Sequence, residues 1–239
     1  MARSKRFNAS LTLNALALAA GFWAVQKLGG PRYLAHRLHT LDAWPTYTQR
    51  VSQLELLPAA GSGLLFLGDS HVAYGEWGEW LPTHRTYNRG VPAEATDRLY
   101  RASYFRKTVG HATDTAVLQV GTNDLLFGRE PAREYLELVD ALGRVCDVTY
   151  VCTLPGVNNE VRWTGIGAAD VAAFNEFIRS RVSERPEVAV VDLAAALGTR
   201  DGILPAHLTD DGVHLRGEGY RIWVRELERA MARGTTLAD

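Results

Sequence analysis

Four short apolar runs limit what this chain can become: Leu64-Leu65-Phe66-Leu67, Ala116 to Val120, Val148 to Cys152 and Val188 to Val191. Each is too short for a buried helix and lacks the alternation of a half-exposed strand. Each therefore reads as a strand covered on both faces. A weaker run lies at Thr86-Tyr87-Asn88. Apolar residues at helical spacing fill the gaps, at about 94–108, 131–145 and 168–184, and a last helix is expected from about Gly217 to Arg233. Strands that alternate with helices join through crossovers, which set helices on both faces of a parallel sheet. The expected fold class is α/β: a three-layer α/β/α sandwich on a mainly parallel five-stranded sheet.

Composition closes off other classes. The chain is 46% hydrophobic and 22% charged, which excludes wholesale disorder and collagen-like or coiled-coil chains. With 26 basic and 27 acidic residues the formal charge is −1, so no global field recruits nucleic acid. A mean hydropathy of −0.12 excludes a polytopic membrane protein. Cys146 and Cys152 are too few for a disulfide framework and lack zinc-ligand company; they read as core residues around a strand. His36 and His39 share a helix face without a third ligand, which is poor material for a metal site.

One segment departs from the average. No charged residue lies between Arg6 and Lys27, and a helix over Phe7 to Gln26 would reach roughly 30 Å, the thickness of a bilayer core. Arg3, Lys5 and Arg6 precede it, which favours a cytoplasmic N-terminus. Three readings compete. The first is a signal anchor, which would leave the rest of the chain periplasmic or extracellular. The second is a cleaved signal peptide, with Ala15-Leu16-Ala17 or Ala17-Leu18-Ala19 as cleavage sites. The third is a soluble protein with an apolar terminal helix. The resulting organisation is 1–27 as anchor or signal, 28–62 as a helical connector broken near Pro45, 63–233 as the α/β domain and 234–239 as a tail.

In parallel α/β sheets the site lies at the carboxyl ends of the strands. Here the first run ends in Gly68-Asp69-Ser70-His71, the weak run in Asn88-Arg89-Gly90 and the next in Gly121-Thr122-Asn123-Asp124; Asp211-Gly212-Val213-His214 precedes the last helix. A nucleophilic serine needs a base, and the base needs an orienting carboxylate. Ser70, His214 and Asp211 can fill these roles. The Ser70 and Gly90 N–H groups and the Asn123 amide can receive an oxyanion. No Gly-x-Ser-x-Gly elbow, Walker A loop or dinucleotide fingerprint appears.

These four blocks, in this order, resemble those of the SGNH hydrolases, also called GDSL esterases and lipases, over roughly residues 47–232. The branch it resembles includes platelet-activating-factor acetylhydrolase and bacterial carbohydrate acetylesterases. Further matches are Tyr47, Arg50 and Leu57-Pro58 ahead of the first strand, and Trp77 and Glu79 after the serine block. There are departures: the branch usually continues Asn-Arg-Gly with Ile-Ser-Gly-Asp-Thr, whereas this chain reads Val91-Pro92-Ala93-Glu94-Ala95-Thr96, and His71 stands where Ile or Leu is common. The resemblance implies a flavodoxin-like sheet and a catalytic set of Ser70, Asp211 and His214, with Asp211 preferred to Asp210 because the family's aspartate lies three residues before its histidine. It places Ser70, Gly90 and Asn123 at the oxyanion. His71, Trp77 and Trp163 are candidates for the substrate pocket, with Trp80 beside them; plain packing is the competing reading for each. For His71 a structural or rim role is expected rather than catalysis.

The implied activity is removal of a short acyl group, acetyl first, from a carbohydrate or lipid ester, with no cofactor and no metal. Two alternatives stand beside it. One is an O-acyltransferase on an envelope polymer; the other is a catalytically inactive, membrane-tethered binding module. The expected partners are the ester substrate and, through the N-terminal segment, a membrane. Oligomeric state leaves no sign in the sequence.

Overall fold

The computed structural model describes residues 18–23, 45–109, 114–129 and 132–235. Residues 18–23 are helical. The remainder of the uncharged stretch, His36, His39 and the first half of the connector lie outside the described residues. No helix among the described residues is long and apolar enough to cross a membrane.

Among these residues five strands form one parallel sheet: β1 (Leu64–Gly68), β2 (Thr86–Gly90), β3 (Thr115–Gln119), β4 (Val148–Cys152) and β5 (Val188–Val191), in spatial order β2-β1-β3-β4-β5. All four apolar runs and the weak one are thus strands. The reversal of order between β1 and β3 opens the crevice in which such sheets bind ligands. Gly68 is in register with Gly90 on one side and Gln119 on the other, so three strands end level beneath the site.

Successive side chains point to opposite faces. Leu65, Leu67, Ala116, Leu118 and Val151 bury against α4 (Thr96–Arg101), α5 (Ser103–Val109), α7 (Ala132–Gly143) and α8 (Ala168–Phe177), through Leu99, Tyr104, Tyr135, Leu138 and Phe174. Leu64, Phe66, Val117, Tyr150 and Val191 bury on the other face against α9 (Leu193–Leu197) and α10 (Gly217–Thr235), with Trp223 and Leu227 at the centre. Two helix layers therefore enclose the sheet. The helix expected over 94–108 is broken at Ala102, whose extended ψ of 138° separates α4 from α5. The pattern at 168–184 runs through α8 and ends in a π-helical turn, Ile178–Val182.

The connector does not stand apart from the domain where it is described. Pro45 is the first described residue of the helix α1 (Pro45–Leu56), a place its fixed φ permits near a helix start. Leu54 of α1 enters the core, and Arg50 donates from Nε to the Gly90 carbonyl (3.0 Å) and from Nη2 to the Asn88 carbonyl (2.8 Å). That pins α1 to the end of β2.

Candidate active site

β1 delivers its last residues into a tight strand-to-helix turn. Asp69 caps α2 (Ser70–Ala73) by accepting the His71 N–H at 3.0 Å, which leaves Ser70 at the first helical position. α2 lies so close on β2 that a Cβ on Gly90 would strike the backbone of Val72 and Ala73. Asn88 fixes that approach: its Nδ2 donates to the carbonyls of Val72 (3.1 Å) and Gly75 (3.1 Å).

Across the crevice, the loop before α10 carries the partner groups. His214 Nε2 is 2.9 Å from Ser70 Oγ, and His214 Nδ1 is 2.6 Å from Asp211 Oδ2. The partners assign the tautomer: Nδ1 faces a carboxylate and carries the proton, so Nε2 is free to accept from the serine hydroxyl. Asp211 Oδ1 accepts the N–H groups of Val213 (3.0 Å) and His214 (2.8 Å). Partial burial works against the charge of Asp211, but the hydrogen bonds from His214 and the two backbone N–H groups hold its pKa down at about 2. It is therefore a carboxylate across the working pH range. Asp210, the other candidate, faces Arg216 instead.

The oxyanion donors need one correction. The Gly90 N–H donates to Asn88 Oδ1 at 2.9 Å and is spent there. Glycine stands at that position for the close approach of α2, not to offer a donor. The N–H next in line belongs to Ala93. Its φ of +66° is the only positive value of a non-glycine among the described residues, and its N–H has no hydrogen-bond partner there. Ala93 lines the same cavity as Ser70 and Asn123, whereas Gly90 does not. A signal for it was present in the sequence: laid on Ile-Ser-Gly-Asp-Thr, the run Val91-Pro92-Ala93-Glu94-Ala95 puts Ala93 at the glycine. Asn123 sits in the first turn of α6 (Thr122–Leu126); its Nδ2 donates one N–H to the Glu94 carbonyl at 2.9 Å and keeps a second. The Ser70 N–H, at the start of α2, is also unpaired among the described residues.

The loop holding Ala93 is braced from beneath. Glu94 is fully buried; Tyr104 donates to its Oε2 at 2.7 Å, and Tyr47 of α1 lies 3.4 Å from it. Burial pushes the Glu94 carboxyl up to about 7 against the opposing pull of those hydrogen bonds. Asp124 Oδ2 accepts both the N–H (3.0 Å) and the hydroxyl (2.9 Å) of Thr96, so it ties the third block to the second.

The cavity above Ser70 measures about 390 Å³. Pro92, Leu126, Ile166 and Val213 supply apolar wall, and Arg162 lies at its edge. The irregular stretch after β4 forms one side, held by Asn158, whose N–H donates to the Gly212 carbonyl at 2.7 Å and whose Nδ2 donates to the Leu204 carbonyl at 2.7 Å.

None of the three pocket candidates lines the cavity. Trp77, which opens α3 (Trp77–Trp80), is 1% exposed, stacks on Phe66 at 4.1 Å and donates to the Val72 carbonyl, so it is core beneath α2. His71 is also 1% exposed; its ring turns inward from Ser70 and lines no substrate surface. Trp163 is exposed, but the cavity wall is made by its neighbours Arg162 and Thr164. The aromatic ring that does meet the site is Tyr74, 5.4 Å from the His214 ring and on the cavity wall; it carried no sequence signal beyond its place four residues after Ser70. Cys146 and Cys152 are buried free thiols, pushed by burial up to about 11 and about 12. Among the described residues no group of side chains could hold a metal ion.

The family model described as GDSL-like Lipase/Acylhydrolase matches residues 59–222. No curated protein matches the chain. Among solved structures, a protein from Streptococcus pneumoniae named for platelet activating factor superposes with a TM-score of 0.68 at 22% identity, covering 82% of this chain and 98% of the other. A GDSL-like lipase from Bacteroides thetaiotaomicron gives 0.61 at 16% identity over 79% and 98%. An acetyl xylan esterase from Geobacillus stearothermophilus gives 0.58 at 17% over 73% and 96%. These likenesses establish the fold.

Proposed function

This chain belongs to the GDSL-like lipase/acylhydrolase family, and from that premise we propose that it is a serine esterase that cleaves a short acyl group, acetyl first, from a carbohydrate or lipid ester. The observation that carries the reading is the unbroken line Ser70 Oγ–His214 Nε2 and His214 Nδ1–Asp211 Oδ2, at 2.9 and 2.6 Å. Ser70 Oγ attacks the ester carbonyl as its proton passes to His214 Nε2, and Asp211 stabilises the imidazolium that forms. The oxyanion is received by the N–H groups of Ser70 and Ala93 and by the Asn123 amide. His214 returns the proton to the departing alcohol. Water then repeats the sequence on the acyl-serine and releases the acid. Each of these steps is carried by the chain's own groups.

The apolar wall of the cavity, with Pro92, Leu126, Ile166 and Val213, gives the acyl group a place to lie. The similarity to an acetyl xylan esterase favours a short one. The uncharged stretch before Lys27 supports an exported, membrane-held or secreted location. The test is hydrolysis of p-nitrophenyl esters of increasing chain length, run beside acetylated sugars, with Ser70→Ala as control. Turnover should be greatest for acetate and abolished in the variant. Full activity in Ser70→Ala would overturn the assignment, and a maximum at long chains would overturn the acyl preference.

A further inference from the structure

His71 has an arrangement that the mechanism above does not use. Its Nδ1 lies 3.2 Å from Asp69 Oδ1, and its Nε2 lies 2.9 Å from the Val213 carbonyl oxygen, 142 residues away in sequence. Both ring nitrogens thus face acceptors. A neutral imidazole has a single N–H, so one of the two contacts would set a nitrogen lone pair against an oxygen lone pair inside the protein. Asp69 Oδ1 also accepts the His71 backbone N–H. The doubly protonated ring satisfies every contact.

The position of Val213 gives the arrangement its consequence. Val213 immediately precedes His214, and Asp211 Oδ1 already holds the Val213 N–H. The same residue is therefore gripped at its N–H by Asp211 and at its carbonyl by His71. His71 in turn follows Ser70 directly and shares the Asp69 cap. We propose that His71 is a positioning residue: as an imidazolium it donates to Asp69 and to the Val213 carbonyl, and so locks the loop carrying His214 to the turn carrying Ser70. This rests on the reading of Ser70 and His214 as nucleophile and base.

The surroundings favour the charged ring. Burial alone would lower its pKa, but the hydrogen bond and charge of Asp69, the Val213 carbonyl and the charge of Asp211 raise it above the ordinary histidine value. The other titratable groups around it are His214, whose ring centroid is 5.5 Å away, Tyr220 of α10, whose hydroxyl donates to the His71 carbonyl at 2.8 Å, and Tyr74 at the end of α2. The lock holds while the ring keeps both protons. It loosens as pH rises through the raised pKa, because one donor is then lost.

Two measurements test this. In protein labelled with ¹⁵N-histidine, the signals that vanish in His71→Gln should show two protonated nitrogens at pH 7. One protonated and one bare nitrogen overturns the proposal. In kinetics, His71→Leu should lower kcat by about tenfold to a hundredfold, the scale of a sub-ångström to 1 Å misplacement, with KM changed less than about twofold. His71→Gln, which keeps one donor, should recover part of that loss, and both variants should lack the alkaline fall in kcat that the wild type shows. An unchanged kcat in folded His71→Leu overturns the proposal. The nitrogen spectrum does not depend on turnover, so an inactive wild type with a doubly protonated ring would defeat the esterase reading and leave the tie intact.

Discussion

The Asn123 side-chain amide donates to the Glu94 carbonyl at 2.9 Å. One of its two N–H groups is thereby held against the loop that also presents Ala93, so two of the three oxyanion donors are fixed relative to each other before substrate arrives. Asn123→Ala removes a donor without touching Ser70 or His214. Loss of a single such donor costs on the order of 10²–10³ in kcat. Steady-state kinetics on p-nitrophenyl acetate should show that fall with KM little changed; a fall of less than about threefold would remove Asn123 from the oxyanion site.

Ala93 sits at φ +66°, where a side chain costs about 1 kcal/mol and a β-branched one more. Since only its N–H is used, Ala93→Gly should keep kcat within about threefold and change stability by less than about 1 kcal/mol. Ala93→Val should lose activity and melt at lower temperature. Equal behaviour of the two variants, in kinetics and thermal melts, would show that the backbone conformation is not what matters.

Gly90 is expected to behave differently. A Cβ there meets the backbone of α2, so Gly90→Ala should destabilise the protein by about 3 kcal/mol in urea unfolding, as overpacking against rigid backbone does. A loss of less than about 0.5 kcal/mol would show that the close approach of α2 is not what the position requires.

Glu94 gives the fold a pH dependence. Burial raises its pKa from the usual 4.5 to about 7, so the folded chain keeps a proton that the unfolded chain releases. Stability therefore falls as pH climbs from about 4.5 to about 7 and is lowest above that window. Glu94→Gln removes this term. The melting temperature of the variant minus that of the wild type should rise between pH 5 and pH 8, whatever constant offset the amide introduces. A difference that does not vary with pH would contradict the assignment.

The strands were legible because a doubly covered strand has no alternation to disguise it: Leu64 to Leu67 and Val148 to Cys152 are buried nearly throughout. Ser70, Asp211 and His214 were legible because each follows a strand end or precedes a helix at a spacing that one turn imposes. The misreadings share a cause. Trp77 lies near Ser70 in sequence, but its indole fills the space beneath α2, and which side a ring takes is decided by packing with Phe66 and Trp223. Gly90 carried the sign of a special backbone position without saying which demand it met. Ala93 carried only its alignment with the glycine of Ile-Ser-Gly-Asp-Thr, since alanine itself does not advertise a positive φ. The ring of His71 finds its second partner 142 residues along the chain, a contact no local pattern encodes.

The central claim is that Ser70 is the group that becomes acylated. Treating the protein with a fluorophosphonate and mapping the adduct by peptide mass spectrometry tests it directly. The expected result is one adduct, on Ser70, lost in His214→Ala because the base that activates the hydroxyl is gone. Folded protein that takes up no probe, or an adduct on another serine, would contradict it.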